Sequence, residues 1–111
     1  VVKNTTIRNN KMHGIYLGYS DYNTVYNCRI NNNTKQGIFV YNGAYHNEIK
    51  GNILENNSVN GIELTITSNQ NIVKNNIVRY NGYTGIDADD MSDGVVAENK
   101  IYKNYTTQNT K

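Results

Sequence analysis

A Gly-Ile pair recurs four times, at Gly14-Ile15, Gly37-Ile38, Gly61-Ile62 and Gly85-Ile86, with spacings of 23, 24 and 24 residues. A period of this length restricts the chain to repeat architectures, in which one unit is too small to bury a core and copies must stack. Two residues beyond each pair stands Leu17, Val40, Leu64 or Ala88. Four residues before each glycine stands Asn10, Asn33, Asn57 or Asn81, a column that Asn104 extends after another 23 residues. A second apolar pair follows in every unit: Val2/Ile7, Val25/Ile30, Ile49/Leu54, Val73/Val78 and Val96/Ile101. Between its members runs the column Thr5, Cys28, Asn52, Asn76, Asn99. On this reading one register holds from end to end.

The alternation Ile-x-Leu has a period of two, which predicts strands. No segment carries the i, i+3, i+4, i+7 pattern that a helical solenoid of similar period needs. Asparagine accounts for 22 of the 111 residues, and there is no proline. Asn is poor inside helices and suited to tight turns, where it tolerates left-handed backbone. Short strands joined by Asn and Gly turns gain a core only by stacking coil on coil, about 4.8 Å apart. Like residues then form columns, and buried Asn columns become amide ladders. The fold class expected is all-β, a parallel β-helix of four to five coils of 23–24 residues, occupying residues 1–111 as one repeat domain.

The consensus Asn-x₃-Gly-Ile-x-Leu…Asn-x-Val-x-x-Asn-x-Ile-x-x-Asn resembles the right-handed, single-stranded parallel β-helix repeat of the pectate-lyase-like and NosD-like superfamily, over nearly the whole chain. The resemblance implies a right-handed coil, a polysaccharide partner and an extracellular or cell-surface setting. That superfamily joins lyases, hydrolases and epimerases with tailspikes and non-catalytic modules, so the fold leaves the chemistry open.

Register converts the repeat into a surface. With Ile15/Leu17, Ile38/Val40, Ile62/Leu64 and Ile86/Ala88 inward, the column Tyr16, Phe39, Glu63, Asp87 faces outward, beside Gly18, Tyr41, Thr65, Asp89. This face is aromatic at one end and acidic at the other. Tyr16, Phe39, Tyr41 and Glu63 are the expected substrate contacts: rings offer flat apolar area and a carboxylate accepts hydroxyl hydrogen bonds. The stretch Gly85 to Gly94 holds Asp87, Asp89, Asp90 and Asp93, four of the nine acidic residues. Crowded carboxylates bind a hard cation or keep one proton. Glu63, Asp87, Asp89 and Asp90 are therefore candidate Ca²⁺ ligands, and Asp87, Asp89 and Asp90 are candidate catalytic acids.

The segment Gly85–Asn104 also resembles a mannuronan C5-epimerase motif, Tyr-Gly-Phe/Ile-Asp-Pro-His-Asp/Glu, with Asp87 and Asp90 at its acidic positions. Thr84, Ala88 and Asp89 stand where that motif has Tyr, Pro and His. The resemblance implies a lyase- or epimerase-like reaction on uronates. The loss of the motif's Tyr and His favours the alternative, a non-catalytic structural or adhesive repeat. A weaker similarity joins Gly82–Asp87 to the Asn-Thr-Asp-Gly-Ile-Asp motif of galacturonan hydrolases, with Thr84 at the place of its Asp.

The remaining features read as structural. Lys3, Tyr26, Lys50 and Lys74 form an outward column that could meet the acid groups of a polyuronate, though the favoured reading is a solvated face discouraging edge pairing. His13 and His46 fall in different columns and read as surface turn residues, and Cys28 as a small buried side chain. Asn4, Asn32, Asn56 and Asn104 meet the glycosylation pattern, at a frequency that chance explains in so Asn-rich a chain. A net charge of +2 is too small to imply a nucleic-acid partner. Mean hydropathy is −0.71, and no apolar run approaches the roughly 20 residues of a membrane span. The chain opens at Val1 inside a repeat, so it is expected to belong to a longer β-helix or to stack end to end with other copies.

Overall fold

The computed structural model describes residues 1–65, 67–89 and 99–110, with the backbone alone at Asp89. The first coil contains β1 (Val2–Lys3), β2 (Thr6–Arg8) and β3 (Ile15–Gly18). The second contains β4 (Thr24–Tyr26), β5 (Arg29–Asn31) and β6 (Ile38–Tyr41). The third contains β7 (Glu48–Lys50), β8 (Ile53–Glu55) and β9 (Ile62–Thr65), and the fourth β10 (Ile72–Lys74), β11 (Ile77–Arg79) and β12 (Ile86–Asp89). A fifth adds β13 (Lys100–Tyr102) and β14 (Tyr105–Thr107). Corresponding strands pair in parallel and build three sheets: sheet A (β1-β4-β7-β10-β13), sheet B (β2-β5-β8-β11-β14) and sheet C (β3-β6-β9-β12). This is the parallel β-helix expected from the repeat.

Among the described residues the corners between sheets are turned by one device. A residue with left-handed backbone is followed by a residue of an inward ladder. Such residues are Asn4, Asn27, Gly51, Asn75 and Lys103 between sheets A and B, and Asn9, Asn32, Asn56, Tyr80 and Gln108 between B and C. Tyr22, His46 and Gln70 serve the return from C to A. Left-handed backbone costs most L-residues about 1–2 kcal/mol and Asn less, and Asn fills seven of the fifteen non-glycine positions of this kind among the described residues. The abundance of Asn thus has two sources, the exposed corner and the buried ladder behind it.

Among the described residues the ladders number three. Asn10, Asn33, Asn57, Asn81 and Asn109 line one corner, and Asn52, Asn76 and Asn104 continue from Cys28 at another. The third is Asn23, Asn47, Asn71 and Asn99, the Asn before valine in the consensus. The interior asparagine rungs share one pattern. Asn33 donates its backbone N–H and its Nδ2 to Asn57 Oδ1 at 3.2 and 2.9 Å. Asn57 Nδ2 donates back to the Ile30 carbonyl at 3.1 Å and on to Asn81 Oδ1 at 3.0 Å. One buried amide so ties three coils, which is how a core this polar satisfies its hydrogen-bonding groups. Between the ladders lie Val25, Ile30, Ile38, Val40, Ile49, Leu54, Ile62, Leu64, Val73 and Val78, each at most 1% exposed.

The expected register needs correction in the fifth coil. Asp89 still pairs with Thr65 at a spacing of 24, but Asn99 bonds Asn71, Asn104 bonds Asn76 and Asn109 bonds Asn81, each across 28 residues. Ile101 pairs with Val73 and Thr106 with Val78. Asn99 and Asn104 therefore belong one corner earlier than the even spacing placed them. Four extra residues lie between Asp89 and Asn99; Val96 is outside the described residues. The signal was present: Asn99-x-Ile101-x-x-Asn104 repeats Asn71-x-Val73-x-x-Asn76. Ala88, expected inward with Leu64, is exposed.

Cys28 is the imperfect rung. Its backbone N–H reaches Asn52 Oδ1 at 2.9 Å, while only its thiol, at 3.4 and 3.7 Å, faces the carbonyls of Tyr26 and Val2. Cys28→Asn supplies the missing amide, and we expect it to raise stability by about 1 kcal/mol. A denaturation midpoint no higher than that of the parent would show that the amide is not what this position lacks.

On the outer face of sheet B, Glu55 is 4% exposed beneath two arginines. Arg29 reaches its Oε1 through Nε at 2.9 Å and through Nη2, and Arg79 Nε donates to Oε2 at 2.9 Å. Burial pushes the Glu55 carboxyl up, but the two guanidinium groups together hold it below the ordinary 4.5. A carboxylate lowered in the folded state stabilises fully above the unfolded value and loses that contribution as pH falls through the folded one. Glu55→Gln is therefore expected to cost about 1–2 kcal/mol at neutral pH, since both arginines are partly solvent-exposed. It should also flatten the loss of stability below pH 4.5; an unchanged acid limb in denaturation series would refute the assignment.

Candidate functional site: the outer face of sheet C

Sheet C has the longest strands, four residues in each of the first four coils, and its register places the expected columns side by side. Tyr16, Phe39, Glu63 and Asp87 pair in sequence, as do the backbones of Gly18, Tyr41, Thr65 and Asp89. Three of the rings form one cluster. Phe39 and Tyr41 lie 5.0 Å apart between centroids, Tyr16 and Phe39 5.8 Å, and Tyr16 and Tyr41 6.3 Å. Tyr16 is 51% exposed, so the cluster presents ring surface to solvent. Gly18 leaves it room: a Cβ there would come within 2.5 Å of the Tyr16 ring. Thr65 departs from expectation, since it is only 6% exposed and offers no outer surface.

A third column completes the site and was not singled out from the sequence. The residues directly before the glycines, His13, Gln36, Asn60 and Thr84, run alongside the rings. Asn60 Nδ2 and Gln36 Nε2 both donate to Glu63 Oε2, at 2.7 and 2.5 Å. Asn60 Oδ1 accepts the Thr84 backbone N–H at 2.9 Å. His13 is half-buried rather than a free turn residue, with its ring 4.9 Å from Phe39 and 5.6 Å from Tyr16. Burial, and then the Lys35 charge, hold its pKa below the ordinary 6.5. The fixed offset from Gly-Ile was the available signal for this column.

Glu63 thus sits where rings give way to polar groups, held by two amides, with Asp87 on the next rung. Among the described residues no group of three or more His, Cys, Asp or Glu side chains could hold a metal ion. The expected Ca²⁺ set draws on Asp90 and on the Asp89 side chain, which lie outside the described residues, as does Asp93. The sheets differ in charge. The strands of sheet C carry Glu63, Asp87 and Asp89 and no cation, whereas those of sheet A carry Lys3, Lys50, Lys74 and Lys100 against Glu48. Glu48 engages Lys50 at 2.6 Å and Lys74 at 3.5 Å, so part of the lysine column is paired. Among the described residues no helix is long and apolar enough to cross a membrane.

The geometry and the comparison with known families agree. Residues 1–105 match the family described as the right handed beta helix region, and the chain belongs to that family. No curated protein and no solved structure matches the chain. The coil is therefore a right-handed parallel β-helix whose sheet C bears rings, amides and carboxylates in adjoining rows.

Proposed function

We propose that the chain binds a polysaccharide along the outer face of sheet C. The observation that carries this reading is the continuous cluster of His13, Tyr16, Phe39 and Tyr41 beside the Gln36–Glu63–Asn60 network. Rings pack against the C–H faces of pyranoses, and adjacent amides and a carboxylate pair with hydroxyls. The strand spacing of about 4.8 Å repeats these contacts along the axis, which suits a polymer better than a compact ligand. An extracellular or cell-surface setting accompanies this reading. A glycan panel probed with and without Ca²⁺ tests it. We expect Tyr16→Ser with Phe39→Thr to weaken the bound glycan at least tenfold, about 1.4 kcal/mol, with an unchanged circular dichroism spectrum. A panel without binding under either condition overturns the reading.

The lyase- or epimerase-like form of this function places Asp87 in the chemistry, with Glu63 one rung away. Unsaturated uronate absorbance from alginate or pectin, lost in Asp87→Asn, supports it; activity unchanged in Asp87→Asn removes Asp87. The second reading, a non-catalytic structural or adhesive repeat, is favoured by Thr84, which stands at the place of the epimerase motif's tyrosine and whose backbone is bonded to Asn60.

A further inference from the structure

The corner returning the chain from sheet C to sheet A carries a second group of rings. Tyr22 and His46 occupy equivalent positions in successive coils, and their rings stack 4.9 Å apart at 10° from parallel. Tyr19 and Tyr22 have left-handed backbone, with φ of 50° and 58°, and are 76% and 77% exposed. Tyrosine at such a φ costs about 1–2 kcal/mol more than glycine, and rings this exposed contribute little to the core. Stability alone favours Asn or Gly here, as at four of the five described corners between sheets A and B. Tyr22 gains a stack on His46 and Tyr19 a hydrogen bond from Asn42, but neither is buried, and strained residues without burial point to function.

Beside His46 opens a cleft of about 550 Å³ lined by Gln70, Ile72, Asn99 and Lys100. Its size falls within the range of small-ligand sites, roughly 300–1,000 Å³. Ile72 gives the cleft an apolar floor beside the Gln70 amide, Lys100 adjoins Ile72 across the β10–β13 pair with Glu48 on the other side of Ile72, and the Asn99 amide at its rim is held in the ladder by Asn71 and the Ser68 carbonyl. Ile72 and Lys100 belong to sheet A, whose strands carry four lysines against Glu48, whereas the only charged residues on the strands of sheet C are carboxylates.

We propose that this cleft is a second carbohydrate subsite, taking a negatively charged pyranose, carboxylated or sulfated. Its apolar face packs on Ile72 and the His46 ring, which is backed by Tyr22, a hydroxyl meets the Gln70 amide, and its anionic group meets Lys100. The subsite rests on the reading of sheet C as a glycan platform, because a polymer passing around the corner touches both.

The test measures binding of the full chain to polygalacturonate, dextran sulfate and uncharged dextran. Tyr22→Asn with His46→Asn keeps residues that the left-handed corner accepts, so melting should be unchanged or raised. We expect this pair to weaken the acidic polymer at least tenfold. Lys100→Gln should weaken it about threefold or more and reduce its salt dependence, without effect on dextran. Preference between polygalacturonate and dextran sulfate identifies the anionic group. Binding unchanged in the corner variant overturns the subsite, and if Tyr16→Ser with Phe39→Thr then loses binding, the sheet C reading stands alone. Loss in the corner variant without loss in the sheet C variant has the opposite meaning. A parent chain that binds neither acidic polymer overturns the subsite, while the glycan panel decides sheet C separately.

Discussion

Gly61→Ala is expected to destabilise the protein by about 3 kcal/mol or more, lowering the melting temperature by roughly 12 °C or more for a chain of this size. The glycine of the Gly-Ile pair is required by space rather than by an unusual φ. A Cβ on Gly61 would lie 2.2 Å from Val78 Cγ1, 2.7 Å from the Gly85 carbonyl oxygen and 2.9 Å from Asn81 Nδ2. The same crowding holds one coil earlier, where a Cβ on Gly37 would meet the Gly61 carbonyl oxygen at 2.6 Å. Neighbouring coils cannot retreat without breaking the sheet C ladder, so the strain spreads along the axis. Gly43→Ala is the control: φ is +70° there, but a Cβ would meet nothing closer than 3.6 Å. That change should cost about 1 kcal/mol, for conformation alone. Thermal unfolding of the two variants compares the mechanisms, and equal losses would refute the steric account.

Asn57→Leu should cost about 3 kcal/mol, although leucine is the more hydrophobic residue. Asn57 is 1% exposed. Its removal leaves the Asn33 backbone N–H and Nδ2 without their acceptor and takes a donor from the Ile30 carbonyl. A buried group without its partner costs about 1–3 kcal/mol. Asn57→Asp separates shape from hydrogen bonding. An ionised carboxylate there would face Asn81 Oδ1 and the Ile30 carbonyl, acceptor against acceptor. Ionisation is disfavoured at such a site, so this variant should regain stability as pH falls, the reverse of the acid behaviour that Glu55 gives the parent. Urea denaturation from pH 7 to 4 measures both effects. If Asn57→Leu proves neutral, the ladder is only a filler of space.

Sheet C shows how far a repeat can be read before folding. Tyr16, Phe39, Glu63 and Asp87 form a column because strands have a period of two and coils a period of 24, both visible in the chain. His13 escaped the same logic because its role comes from ring packing across coils, which no periodicity records. The third ladder was contained in the consensus, in the Asn two before each valine or isoleucine, but only hydrogen bonds distinguish a buried Asn47 from a half-buried Asn42. The fifth-coil register was misplaced because Gly-Ile does not recur after Gly85, so the even period was carried over four extra residues.

The sequence by itself determined the coil length, the inward and outward faces, the parallel stacking and the rows of rings and carboxylates, since each follows from identities repeated at fixed spacing. Tertiary structure alone decided three further matters. It chose the 28-residue step over the even one where the chain offered signals for both, because laddered amides bond to whichever asparagine the core brings opposite. It buried Glu55 beneath Arg29 and Arg79, which come from different coils. It also brought Tyr22 onto His46 and His13 onto Phe39, pairs 24 and 26 residues apart whose contact depends on how corners and strands of successive coils lie over one another.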